Sequence, residues 1–98
     1  VSSRGIRWTD HAVAQLAGII EYVSLASPVY AEQTLERLVG RLDQACVFPD
    51  SGRVVPEVGR IEIRELIEPP YRLIYRVHPD VIELLSVLHS RQQFPGLP

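Results

Sequence analysis

Ninety-eight residues, 46% of them hydrophobic and with a net charge of −2, make one domain spanning 1–98, with enough apolar material for a core and none of the cationic excess of a non-specific nucleic-acid binder. The single cysteine, Cys46, excludes an internal disulfide, and no stretch reaches the roughly 18 apolar residues of a membrane span. A chain without a disulfide framework, whose N-terminal VSSRGIRWTD lacks the apolar core of a signal peptide, is expected to be cytoplasmic.

GIRWT at 5–9 alternates apolar and polar residues and predicts a first short strand after a flexible start at 1–4. Thr9 or Asp10 then caps a helix over about 10–24, with Val13, Leu16, Ile20 and Val23 at helical spacing. Ser27 followed by Pro28 starts a second helix, which places Ala31, Leu35, Leu38, Leu42 and Ala45 on one face. So short a link predicts an antiparallel helical hairpin. Cys46 falls in the same apolar run and reads as a small core residue.

PDSGRVVPE at 49–57 is the longest loop signal, and beyond it the period changes from helical to two. RIEIREL at 60–66, YRLIYRV at 71–77 and VIELLSVLH at 81–89 read as three consecutive strands, the last two joined by the His-Pro-Asp turn, with a flexible tail at 95–98. The predicted fold is therefore α+β: a strand, an antiparallel helical hairpin, then a three-stranded antiparallel meander, with the helices packed on one face of the sheet.

Alternation along YRLIYRV sends Tyr71, Leu73, Tyr75 and Val77 to one face and Arg72, Ile74 and Arg76 to the other. Ile61 and Ile63 divide in the same way from Arg60, Glu62 and Arg64. If the first set meets the helices, the opposite face collects Arg64, Arg72 and Arg76, with His89 and Arg91 near its rim. The plainer reading is an amphipathic sheet with cross-strand pairs, Arg64 or Arg72 with Glu62 or Glu83. The sequence has no phosphate-binding glycine loop, no Cys/His spacing for a metal and no Gly-x-Ser-x-Gly elbow, so no cofactor is expected.

SGRVVPE, IREL, YRLIYRV and LLSVLHSRQQF, in that order after WTDHAVAQLAGIIEYV and SPVYAEQTLERLVGRL, resemble the RelE/ParE superfamily of toxins from bacterial type II toxin–antitoxin modules, often described as plasmid stabilisation proteins. The resemblance covers about residues 6–94 and implies the fold derived above. It also implies a cognate antitoxin as partner, in a toxin–antitoxin hetero-oligomer. One branch, RelE-like, cleaves mRNA on the ribosome; there Arg72, His89 and Arg91 or Arg64 would supply the phosphate and proton contacts that attack by a 2′-hydroxyl needs. The ParE-like branch is associated with poisoning DNA gyrase, and in it Arg64, Arg72, Arg76, His89, Arg91 and Phe94 would form a partner-binding surface. This chain has no lysine, no tyrosine after Tyr75 and an acidic balance, a poor match to a ribosome-bound nuclease. It resembles the ParE-like branch more, with the ribonuclease and a non-toxic partner-binding module as alternatives.

Overall fold

A computed structural model of the chain describes residues 4–98. The flexible start expected at 1–4 lies outside the described residues except for Arg4, which donates its N–H to the Cys46 carbonyl at 2.8 Å. The elements are β1 (Gly5–Trp8), α1 (Asp10–Ala26), α2 (Pro28–Val47), a 3₁₀ turn (Pro49–Ser51), β2 (Arg53–Val54), β3 (Ile63–Glu68), β4 (Tyr71–Val77) and β5 (Val81–His89). This is the expected α+β order, with an additional two-residue strand inside the SGRVVPE loop.

The hairpin is set by two local caps. Thr9 accepts the Ala12 N–H at 3.1 Å and starts α1. Ser27 closes α1 by donating its N–H to the Val23 carbonyl, then caps α2 by accepting the Tyr30 N–H at 3.1 Å, with Pro28 at the first position. One residue thus ends one helix and begins the next, which leaves an antiparallel return as the only path.

The sheet has five strands in the order β1-β5-β4-β3-β2. β3, β4 and β5 form the antiparallel meander, and β1 runs parallel to β5 from Gly5↔Val81 to Trp8↔Leu84. Between β4 and β5 the register slips by one residue at Ile74/Tyr75, which leaves Leu85 without a cross-strand partner.

Both faces of the sheet are covered. Between the helices and the sheet, Leu38 and Leu42 of α2 pack with Ala12, Leu66, Leu73 and Leu84. On the opposite face, Val55, Ile63, Ile74, Leu85 and Leu88 form a second core, and Val58, Phe94 and Leu97 pack against it. The face expected to be open is therefore roofed by the loop before β3 and by the C-terminal tail. Leu97 lies on this cluster, where the sequence suggested a loose end.

Three apolar side chains expected on a buried face are exposed instead. In α2, Thr34 is buried and Leu35 is 37% exposed; the hydroxyl of Thr34 donates to the Tyr30 carbonyl at 2.9 Å, so it enters the core with its polar group satisfied. In α1, Ala12 with Leu16 and Ile19 meets the core while Val13 turns outward. Ile61 is exposed because the chain is still in a turn there, after Gly59 at φ 70°, and β3 starts only at Ile63.

Gly52 is required by close approach. A Cβ at this position would lie 2.5 Å from the Glu65 carbonyl oxygen and 2.5 Å from the Tyr75 hydroxyl. That hydroxyl accepts the Gly52 N–H at 3.2 Å and donates to the Pro49 carbonyl at 2.7 Å, pinning the 49–52 loop to β4.

Candidate functional site

β4 puts Arg72 on the tail-side face, where Glu65 of β3 and Glu57 of the preceding loop close on it. Arg72 donates from Nε to Glu65 at 2.7 Å and from both Nη atoms to Glu57 at 3.0 and 2.9 Å. Phe94 stands over the guanidinium at 5.6 Å. Glu65 is itself buried, and its other oxygen accepts from Arg53 at 2.5 Å. The Arg72 hydrogen bonds hold the Glu57 carboxyl below the ordinary carboxylate range. The Nε–H and the paired Nη groups of Arg72 are thus committed internally, which leaves it two single N–H donors but no free fork for a phosphate.

The other expected site residues do not gather around it. Arg64 faces the helix side opposite Tyr75, where it donates to the Gly52 carbonyl at 2.9 Å and pairs with Asp50 at 3.5 Å. The expectation that it joins Arg72 and Arg76 on one face fails because Ile63 packs into the second core on the Arg72 side, which turns its neighbour Arg64 toward the helices. Arg76 shares the Arg72 face and is half-buried, with no ion pair among the described residues. Its cross-strand neighbour Glu83 is bound instead by His78 at 2.9 Å and Arg7 at 3.4 Å. Phe94 is folded down as part of the second core rather than standing free. Arg91 is exposed.

His89 lies across the sheet from Arg72. Its register partner is Tyr71, whereas that of Arg72 is Leu88, so the two side chains point to opposite faces. The His89 ring meets Tyr71 edge-on at 5.8 Å, and its Nδ1 accepts the Arg91 N–H at 3.1 Å.

This side of the sheet holds a trough that the sequence reading missed. One segment, about 430 Å³, lies between α1 and the ends of β4 and β5, lined by Gln15, Ile19, Tyr71, Val87 and His89. A second, about 450 Å³, runs to the hairpin tip along Leu25, Ala26 and Tyr30. Tyr22 and Val23 line both. Tyr22 is 77% exposed and Leu25 83%. α1 has 17 residues and a single fully buried one, Ala12. Its only charged residues are Asp10 and Glu21. A solvent-facing helix ordinarily carries charge on each outer turn; an exposed apolar stretch of this kind marks an interaction surface.

The sequence of this fold matches the family model described as ParE toxin of type II toxin–antitoxin system, parDE, over residues 6–94. The chain belongs to the ParE toxin family. This ParE-family chain is 37% identical to the protein Y4kP of Sinorhizobium fredii over 97% of each chain. It is 30% identical to Toxin RelE2 of Caulobacter vibrioides, over 85% of this chain and 91% of that one. Among solved structures, a chain of the chromosomal ParDE TA system from P. aeruginosa superposes with a TM-score of 0.71 at 24% identity, covering 89% of this chain and 96% of that one; that likeness concerns the fold. The ParE-family toxin thus combines a sealed arginine network on one face with an open apolar trough beside the other. The network could have been suspected from Glu65 within the strand that pairs with β4 and Glu57 in the loop before it. The trough had a signal too, in the near absence of charge from DHAVAQLAGIIEYVSLA.

Proposed function

We propose that this ParE-family toxin acts in the cytoplasm as a protein-binding inhibitor of DNA gyrase, and that a cognate antitoxin neutralises it by laying an apolar segment in the trough along α1. The observation that carries the reading is the pairing of a charge-poor, largely exposed α1 with the absence, among the described residues, of an assembled nuclease cluster. RNA cleavage by a 2′-hydroxyl needs a proton acceptor and a cation within a few ångströms of one phosphate. Arg72 and His89 lie on opposite faces, and Arg72 is committed to two carboxylates. Arg76 and Arg91 are the expected site arginines left for a target to contact. Plasmid or chromosomal maintenance would be the role of such a pair.

The deciding experiment compares purified toxin in a gyrase supercoiling assay and in a ribosome-dependent mRNA cleavage assay. Supercoiling should be inhibited and the message should remain intact. Cleavage of ribosome-bound message that is lost in His89→Ala would establish the ribonuclease reading instead. For the trough, Tyr22→Ser with Leu25→Ser should weaken capture of the co-expressed partner from the neighbouring reading frame by about tenfold or more, as loss of buried interface anchors does.

A further inference from the structure

We infer that the sheet end of the trough captures a carboxylate carried on the antitoxin's apolar segment, through the free N–H groups of Gln15 and His89. The inference rests on the trough being the antitoxin surface and adds the chemistry of one contact.

The geometry begins with the short β1, which ends opposite Leu84. Beyond that point β5 has no neighbouring strand on this side, and Gln15 of α1 takes its place by accepting the Val87 N–H on Oε1 at 2.8 Å. That bond fixes the amide orientation, so the NH₂ end is the part of Gln15 left free. His89 is constrained in the same way. Its Nδ1 accepts the Arg91 N–H at 3.1 Å, which places the ring proton on Nε2. Both residues line the same segment of the trough. Each has used its acceptor internally and retains its donor.

Tyr71 adds a hydroxyl, and burial pushes its ionisation further up, so it also remains able to donate. No aspartate or glutamate lines either segment of the trough. Glu68, the nearby carboxylate on this face of the sheet, is spent on Arg41 at 3.2 Å and Arg37 at 3.8 Å. Arg91 follows His89 at the rim, and Arg37 sits over the Tyr30 ring at 5.5 Å toward the hairpin tip. A group entering here meets side-chain donors within an apolar wall and cations beyond it. A carboxylate satisfies that arrangement with charge-assisted hydrogen bonds. The apolar run through Tyr22 and Leu25 requires that the carboxylate be carried on an apolar chain, which matches an amphipathic segment with an Asp or Glu at its end.

The test uses 4-phenylbutanoate as probe and 4-phenylbutylammonium as its charge-reversed control, titrated into isotopically labelled toxin and read at the Gln15 and His89 side-chain NMR signals. Gln15→Glu keeps an oxygen for the Val87 N–H and replaces the NH₂ donor by a carboxylate oxygen. His89→Phe keeps the ring and removes the donor. The amide spectrum of each variant reports its fold independently. The wild type should respond to the carboxylate and not to the ammonium, and each variant should bind the carboxylate about tenfold more weakly or worse, the scale of a lost hydrogen bond to a charged group. No wild-type response, an equal response to the ammonium, or undiminished binding by both variants would overturn the inference. The trough reading is judged separately: if Tyr22→Ser with Leu25→Ser releases the co-expressed partner while Gln15→Glu and His89→Phe hold it unchanged, the surface stands and the carboxylate contact falls.

Discussion

On the tail side of the sheet, Glu65 and Arg72 are buried, Arg72 against the Phe94 ring that packs on the second apolar core. On the helix side, Tyr22 and Leu25 stand in solvent at the open end of the hairpin. Charge lies inside on one side, and large apolar side chains lie outside on the other. A buried ion pair is seldom a source of net stability, because desolvation offsets its attraction, but once formed it is costly to break. Here it fixes the loop that carries Glu57 to the middle of the sheet. An exposed apolar helix adds little to folding; its cost in solvent is recovered only when something covers it. Arg72 and Arg64 are thus occupied with holding the fold, and the plain residues of α1 are the largest surface available to a partner.

Arg72→Ala tests the sealed side most severely. It leaves Glu65 buried with only the exposed Arg53 as partner. The expected loss is about 3–5 kcal/mol in a denaturant titration, the usual cost of halving a buried pair. A variant as stable as the wild type would mean that Glu65 reaches water once Arg72 is gone. Because the variant unfolds readily, its loss of toxicity would say nothing about catalysis.

Leu38→Ala and Leu25→Ala sharpen the contrast on the helical side. Leu38 is 1% exposed in the main core, and its truncation should cost about 2–5 kcal/mol. Leu25 has nothing to lose in the free toxin, so its truncation should fall within about 0.5 kcal/mol of wild type. Equal losses at the two positions would show that the hairpin tip is covered in solution.

Phe94→Ala falls between these limits. The ring is only partly buried, and its removal uncovers Arg72 and the edge of the second core. The expected loss is about 1–2 kcal/mol, from partial burial of an aromatic side chain and a cation–π contact. A neutral result would mean that the tail lies loosely on the sheet.

Most of the architecture was legible because it is set locally. Ser27-Pro28, the period-two runs at 71–77 and 81–89 and the turn residues between them specify hairpin and meander without reference to the rest of the chain. The site was misread because alternation tells which residues share a face but not what covers that face. Arg72, Ile74 and Arg76 do face away from the helices, as their spacing dictates. That Val55, Val58, Phe94 and Leu97 return to roof them depends on long-range packing, to which the loop and tail compositions give little clue. Arg64 departs for the same reason: with a core on each face of the sheet, Ile63 packs on the tail side and Arg64 turns toward the helices. His89 was assigned to the wrong partners because the open face was assumed to be the only one with access to solvent.

The smallest expected effect concerns pH, and it bears on whether Glu57 helps hold the loop or only rests against it. Two Arg72 hydrogen bonds, together with its own backbone, keep this carboxyl below the ordinary glutamate value of about 4.3. A folded-state value lower than the unfolded one gives stability that is present above about pH 4.3 and is lost as pH falls through the folded value. Glu83, lowered by its hydrogen bond from His78 and by Arg7, contributes with the same sign, so acid sensitivity should not vanish when Glu57 is removed. Glu57→Gln should therefore differ most from wild type near pH 7 and converge with it toward about pH 3, with a flatter denaturation midpoint between. The carboxylate is well exposed, so added salt should shrink the difference. Parallel midpoint curves for wild type and Glu57→Gln over that range would leave Glu65 as the only acid tying Arg72 to the fold, and the loop would then be held by Val55 and Val58 in the second core and by its backbone bonds to β3.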